Sequence, residues 1–234
     1  MCGRASIAVA DANLEQRFGA KLYGKQQNYQ LPNFNVCPTT FAPVITSYAP
    51  AELQLFHWGL NFTSADGKMH KNTINARKES ILNIPLFHES LHERRCIVPV
   101  TSYFEWKTFN GGKTKIPYLI KLKSDKIFAL AALWVSQMDK NEALIDKFVL
   151  ITQPPTPTLA FIHDRMPAIL TLEAEKMWLD NACDGKKALT LINGYSDADI
   201  AYYPVSNELN RSFDNKAEFI NEQKYTIQEQ GSLF

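Results

Sequence analysis

The chain has 234 residues, enough for one large domain or two small ones with a substantial core. Apolar residues make up 45% and charged residues 21%, with 25 Lys plus Arg against 24 Asp plus Glu. That balance excludes both a disordered charged tail and a histone-like basic coat. Any nucleic-acid binding must therefore come from a local cluster of cations. The run SIAVA is broken by Asp11 before it can serve as a secretory segment, and no apolar stretch of about 18 residues occurs, so a soluble, intracellular chain without a membrane span is expected.

In chain order, short runs bounded by turn residues predict strands at 6–10, 43–48, 53–60, 95–100, 102–109, 116–122, 127–136, 147–153 and 188–193. Alternation in SYFEWKTF puts Tyr103, Glu105 and Lys107 on one face and Phe104, Trp106 and Thr108 on the other. Asn110, Gly111 and Gly112 supply a turn into IPYLIKL, which makes a hairpin. Helical signals are fewer. Asp11 can cap a helix through Phe18, and a second helix can start at Asn75 or Ala76, carry Ile81 and Leu82, and stop near Pro85. The clearest is TLEAEKMWLD: Thr171 can cap, Glu173 and Glu175 sit near the positive end of the dipole, and Leu172, Met177 and Trp178 form the buried side. No long linker or repeat divides the chain, and phosphate-cradling GxxxxGK[ST] and GxGxxG patterns are absent, so one mixed domain is favoured.

Cys2, Cys37, Cys96 and Cys183 are scattered without a CxxC, which argues against a structural zinc site and a disulfide scaffold. Cys2 stands apart by position. Once the initiator methionine is gone, it carries a free amine and a thiol on adjacent carbons, a pair that can form a Schiff base with an aldehyde and close to a thiazolidine; the amine can alternatively act as base for the thiol in an amidohydrolase. Asn75 and Arg77 share a face if extended, where an amide can orient a substrate and a guanidinium can fork onto phosphate. Glu105 lies between Phe104 and Trp106, where burial would raise its pKa toward an acid/base value; a salt bridge to Arg94, Arg95 or Lys107 is the plainer reading. His163, in FIHDRMPAIL before a rigid turn at Pro167, can shuttle protons or serve as a satisfied turn histidine. HESLH at 88–92 matches HExxH with Glu89 as base, but no third ligand is evident and no metal is expected.

The ordered segments MCGR, NVCP (35–38), WGL (58–60), INAR (74–77), RRCIVPVTSYFEW (94–106) and HDRMP (163–167) resemble the motifs of the SOS response-associated peptidase (SRAP) family of abasic-site processing proteins. The resemblance runs from residue 2 to about residue 206. It implies a single compact α+β domain over 2–234, Met1 removed, with a distorted antiparallel β-barrel core and short flanking helices. It also implies a covalent crosslink to abasic sites in single-stranded DNA, with associated lyase activity and self-removal of Met1. By the same resemblance Cys2 is the nucleophile, Asn75 positions the terminus and the opened sugar, Glu105 is the acid/base beside the sugar, and His163 assists Schiff-base chemistry, incision and reversal. Arg4 and Arg77 match phosphate-binding positions, and Lys68, Lys71 and Lys78 are added as nearby cations. No cofactor is implied. A cytoplasmic, nucleoid-associated monomer working beside replication-associated proteins is expected. The segment between WGL and INAR departs from the family by lacking a further proline and tryptophan. A thiol peptidase with an amino-terminal nucleophile and a noncatalytic single-stranded-DNA module remain the alternatives.

Overall fold

The computed structural model describes residues 2–225 apart from 25, 27, 28, 65, 110, 111, 113, 125, 140, 193–195, 211 and 212. Met1, Asn110 and Gly111 of the expected turn, Asn193, and 226–234 therefore lie outside the described residues. The elements run β1 (Ala5–Ile7), α1 (Asp11–Phe18), β2 (Lys21–Tyr23), β3 (Asn33–Val36), β4 (Phe41–Thr46), β5 (Glu52–Trp58), β6 (Leu60–Thr63), β7 (Met69–Thr73) and β8 (Asn75–Arg77). They continue with α2 (Pro85–Glu93), β9 (Arg95–Val100), β10 (Ser102–Phe109), β11 (Thr114–Leu122), β12 (Phe128–Met138) and β13 (Leu144–Gln153). The last are β14 (Met166–Pro167), β15 (Ile169–Leu170), α3 (Leu172–Leu179), α4 (Gly185–Thr190) and β16 (Ile200–Pro204).

The fold is α+β around a closed five-strand barrel. Antiparallel pairs join β5 to β4, β4 to β9, β9 to β12 and β12 to β13. The ring closes on a short parallel seam of β13 with β5, where Phe148 lies opposite Trp58; this seam is where the barrel departs from a purely antiparallel one. Gly59 makes the seam feasible: at φ 112° it turns the chain out of β5 and donates its N–H to the Phe148 carbonyl at 2.8 Å, a conformation open to glycine. Trp58 stacks on Phe148 at 5.9 Å and donates to the Ile74 carbonyl at 3.0 Å, tying the seam to the approach to β8.

A second antiparallel sheet has the order β16-β11-β10-β1-β3. The main core fills the barrel and the space under α2–α4, with Phe128, Leu130, Leu133, Val149, Leu150 and Trp178 at or below 1% exposure. A smaller cluster of Phe104, Leu119, Val205, Leu209 and Phe219 covers the other face of the second sheet. No helix among the described residues is long and apolar enough to cross a membrane.

Several expected elements take another form. Helix α1 spans Asp11–Phe18, but Ala10 is the cap: Asn13 donates to the Ala10 carbonyl and its side chain accepts the Ala10 N–H, while Asp11 accepts from Tyr29. Residues 75–77 form a strand on β13, and a 3₁₀ helix follows over Lys78–Asn83. Pro85 starts α2, where its missing N–H costs nothing. The first half of the expected strand 188–193 falls within α4, whose start is capped by the Asp184 carboxylate accepting from the Lys186 and Lys187 N–H groups. Thr171 caps α3 and Trp178 is buried, as read, whereas Leu172 is 51% exposed. Pro167 lies in the short strand β14, opposite Thr152.

Candidate active site

The second sheet carries the amino terminus to the site. β1 pairs with β10, Ala5 opposite Tyr103, and the Phe104 N–H donates to the Arg4 carbonyl at 3.0 Å, so the residues before β1 run alongside Glu105. Cys2 is fully buried, its thiol 3.7 Å from the Arg4 carbonyl. Burial, and then the Glu105 charge, push that thiol far above its ordinary pKa, so it is held protonated. Cys37, Cys96 and Cys183 are also buried free thiols.

Asn75 reaches the same place from the barrel. β8 runs parallel to β13 with Asn75 opposite Leu150, and the Asn75 Nδ2 donates to the Cys2 carbonyl at 2.8 Å. Its Oδ1 is buried and accepts no hydrogen bond among the described residues, an open acceptor beside Cys2.

Glu105 is 2% exposed, and burial pushes its carboxyl up to about 7. Its ordinary reading as a salt-bridge partner of neighbouring cations does not hold. Arg94 pairs with Glu89 and Glu93, Arg95 is engaged by backbone carbonyls, and Lys107 lies over aromatic rings. His163 faces Glu105, with Nε2 3.9 Å from Oε2. The two line a cleft of about 410 Å³ with Trp106, Thr108, Lys115 and Asn210.

Burial holds the His163 pKa below its ordinary value, so the neutral ring prevails at neutral pH. The Arg165 N–H donates to Nδ1 at 3.0 Å, which in the neutral ring places the proton on Nε2, toward Glu105. The exposed Asp164 carboxylate lies 2.8 Å from the same Nδ1 and becomes its partner when the ring takes a second proton.

Two supporting groups escaped the sequence reading. Arg165 forks onto Glu79 at 2.8 and 2.9 Å and donates to the Thr152 carbonyl at 2.6 Å, bracing the loop of His163 against the helix that follows Asn75 and Arg77. The DR of HDRMP and the acid in ARKES were the available signals, but a bridge across 86 residues has no local signature. Tyr103 is fully buried, and its hydroxyl has no hydrogen-bond partner among the described residues. Burial, then Cys2 and Glu105, hold its pKa high, so a protonated phenol faces the same pair.

The expected DNA contacts are spread over several elements. The Arg4 guanidinium donates to Asn35 Oδ1 at 2.6 Å and lies 5.3 Å from the exposed Phe213 ring. Arg77 is exposed at the end of β8. Lys68 and Lys71 are exposed on the β6–β7 hairpin, while Lys78 is partly buried and donates to the Ile192 carbonyl at 2.9 Å, burial lowering its pKa. No hydrogen bond or ion pair joins these three lysines to Cys2, Asn75, Glu105 or His163 among the described residues. In α2, Glu89 is bound to Arg94 and His92 lies 3.8 Å from Asp184, and among the described residues no group of three or more ligand side chains could hold a metal.

A family model described as SOS response associated peptidase (SRAP) matches residues 1–212. The chain is 34% identical over 228 residues to the Bacillus subtilis abasic site processing protein YoaM, covering 96% of this chain and all of the relative. It is 28% identical over 263 residues to the Xenopus tropicalis abasic site processing protein HMCES, covering 93% of this chain and 77% of the relative. A crystal structure of a Bacteroides thetaiotaomicron protein superposes with a TM-score of 0.81 at 28% identity, over 95% of this chain and all of the other. The chain belongs to the SOS response-associated peptidase family.

Proposed function

We propose that this protein, after loss of Met1, captures abasic sites in single-stranded DNA by a covalent bond through Cys2. The observation that carries the reading is the convergence of four separate segments: Asn75 donates to the Cys2 carbonyl, the Glu105 charge acts on the Cys2 thiol, and His163 faces Glu105 where the two line a cleft. The abasic site processing names of its relatives support an abasic site as the substrate. In the 234-residue chain the Cys2 nitrogen is an amide, so removal of Met1, in this reading by the site itself, must come first.

The chemistry is an aldehyde capture. The Cys2 amine adds to the aldehyde carbon of the ring-opened deoxyribose, forming a C–N bond and a carbinolamine. Glu105 in its acid form protonates the hydroxyl, which leaves as water and gives the iminium. Glu105, now a carboxylate, takes the thiol proton, and Cys2 Sγ adds to the same carbon to close a thiazolidine. Aldehyde and aminothiol thus combine with loss of one water. A carboxyl poised at about 7 serves both proton transfers at neutral pH. The open Oδ1 of Asn75 can accept from the amine or the sugar hydroxyl. For incision, neutral His163 removes a proton from the carbon beside the iminium and the 3′ phosphate leaves. An intact nucleotide offers no aldehyde, so selection is chemical, with Arg4, Arg77, Lys68, Lys71 and Lys78 placing the strand as a monomer would.

The test mixes the protein, with Met1 loss verified by intact mass, with single-stranded DNA bearing one abasic site or none. A denaturant-resistant adduct of mass protein plus DNA minus water is expected with the abasic strand alone. Absence of adduct, or equal adduct from Cys2→Ala, sinks the proposal. Unchanged strand cleavage in both His163→Ala and Glu105→Gln removes their assigned roles in incision.

A further inference from the structure

Beside the cleft lies a second surface that the capture chemistry leaves unused. Residues opposite each other across an antiparallel pair share a face, and Tyr118 on β11 lies directly opposite Glu105. Lys107, two residues beyond Glu105, and Tyr202, opposite Ile120 on β16, fall on that same face. Phe161, two residues before His163, folds over it: its ring lies 5.2 Å from Tyr202 and edge-on at 6.0 Å from Tyr118, which is itself 6.4 Å from Tyr202. The Lys107 ammonium lies 4.6 Å from the Phe161 centroid and 4.9 Å from that of Phe109.

Packing does not account for this cluster. The reverse face of the same strands is closed by Phe104, Leu119, Val205, Leu209 and Phe219, whereas Phe161 stays 42% and Tyr202 38% exposed. Lys107 has no carboxylate partner among the described residues, and Lys115, exposed, lines the adjoining cleft. Exposed rings with cations beside them suit stacked bases joined by phosphates, and they share a strand face with Glu105 and a loop with His163.

We propose that Phe161 and Tyr202 stack a base adjacent to the lesion while Lys107 binds its phosphate, so that the abasic sugar is registered over Cys2 by its neighbour. This rests on the reading of single-stranded abasic DNA as substrate. The lesion itself has no base to hold, so grip on the next nucleotide is the contact available to fix its position along the strand. Every base has a π face, so the subsite tolerates any sequence, with larger purines held more firmly.

The experiment measures equilibrium binding by fluorescence anisotropy in a Cys2→Ala background, which excludes covalent capture. The probes are single-stranded oligonucleotides with a central tetrahydrofuran, a stable abasic analogue, and either both neighbouring bases or a second tetrahydrofuran on the 5′ or the 3′ side. Removing the base on one side is expected to weaken binding about tenfold, and Phe161→Leu with Tyr202→Leu to weaken binding of the fully based strand by about the same factor. On the strand lacking that base the double variant should change affinity less than twofold. Lys107→Ala should lower the slope of log affinity against log salt by about one. If the double variant unfolds, as thermal melting would reveal, Phe161→Leu alone provides the comparison, and the oligonucleotide series needs no variant at the subsite. Indifference to both neighbouring bases, or equal losses on every strand, overturns the subsite. The wild-type adduct assay separates the two readings: adduct without neighbour dependence removes the subsite and leaves the capture chemistry, while neighbour dependence without adduct does the reverse.

Discussion

Arg95 opens β9 and Glu105 lies midway along β10, the next strand, and both charges are buried, at 1% and 2% exposure. Their surroundings differ in kind. All five N–H groups of Arg95 go to backbone carbonyls: Nε to Trp178, Nη1 to Leu91 and His92, and Nη2 to Asp180 and Cys183. These oxygens include carbonyls at the ends of α2 and α3, where the helix dipole favours a cation. Glu105 instead faces His163, a group that itself titrates, and lies within the electrostatic reach of the Cys2 thiol and the Tyr103 phenol. A buried charge surrounded by groups that cannot change state locks the fold; one surrounded by groups that can is free to exchange protons.

The sharpest way to break this comparison is to remove both charges in turn. Arg95→Met is expected to lose about 3–5 kcal/mol of stability in urea unfolding, because five carbonyls are left buried and unsatisfied. Adduct formation per folded molecule should be unchanged. A loss below about 1 kcal/mol would show that the carbonyls find water instead, and that Arg95 is no lock.

Glu105→Gln should do the opposite. Its adduct rate is expected to fall roughly 100-fold, within the usual range for a lost acid/base group. The wild-type rate should also drop as pH rises above about 7, where the acid form needed to protonate the carbinolamine hydroxyl is lost, and that inflection should vanish in the variant. Stability moves the other way. The folded carboxyl is raised to about 7 from an ordinary 4.5, so its favourable contribution is present below about 4.5 and lost as pH rises through 7. At pH 8 the variant is therefore expected to be more stable than wild type, by on the order of 3 kcal/mol, and at pH 4 indistinguishable from it. A melting series in which Glu105→Gln destabilises at every pH would make Glu105 a second structural charge.

Tyr103→Phe is a smaller version of the same test. A buried hydroxyl without a partner costs free energy, so its removal should leave stability unchanged or raise it by about 1 kcal/mol. Any change in adduct rate then belongs to the phenol's place beside Cys2 and Glu105.

The contrast between the two charges also marks what could be read before the structure. Glu105 sits in an apolar strand run beside Phe104 and Trp106, a local signal of burial, and the helix over 172–179 shows its start through Thr171. The barrel's parallel seam was not legible, because it depends on Gly59 turning the chain so that Phe148, 90 residues on, meets Trp58. ALTLIN has the composition of a strand, yet Asp184 caps the segment before it and the start winds into α4. Of the site, Cys2, Asn75, Glu105 and His163 stood out by residue type and motif. Their mutual distances, the Arg165–Glu79 brace and the open Asn75 Oδ1 are products of strand pairing far apart in sequence. Arg95 offered the least signal, since a residue whose partners are all backbone atoms leaves no second side chain to recognise.

The weakest expected effect addresses the Arg95 lock from its far end. Thr171 caps α3 by accepting the Ala174 N–H at 3.2 Å, and the carbonyls of Trp178 and Asp180 at the other end of that helix are held by Arg95. Thr171→Ala should cost about 1 kcal/mol in urea unfolding and leave both the adduct rate and its pH inflection as they are. Cap and guanidinium brace one helix, so with Arg95→Met already in place α3 is loosened at its end and the cap stabilises less. The double variant should then lose measurably less than the sum of the single losses. Strict additivity would mean that Arg95 secures the chain after α3 without ordering the helix itself.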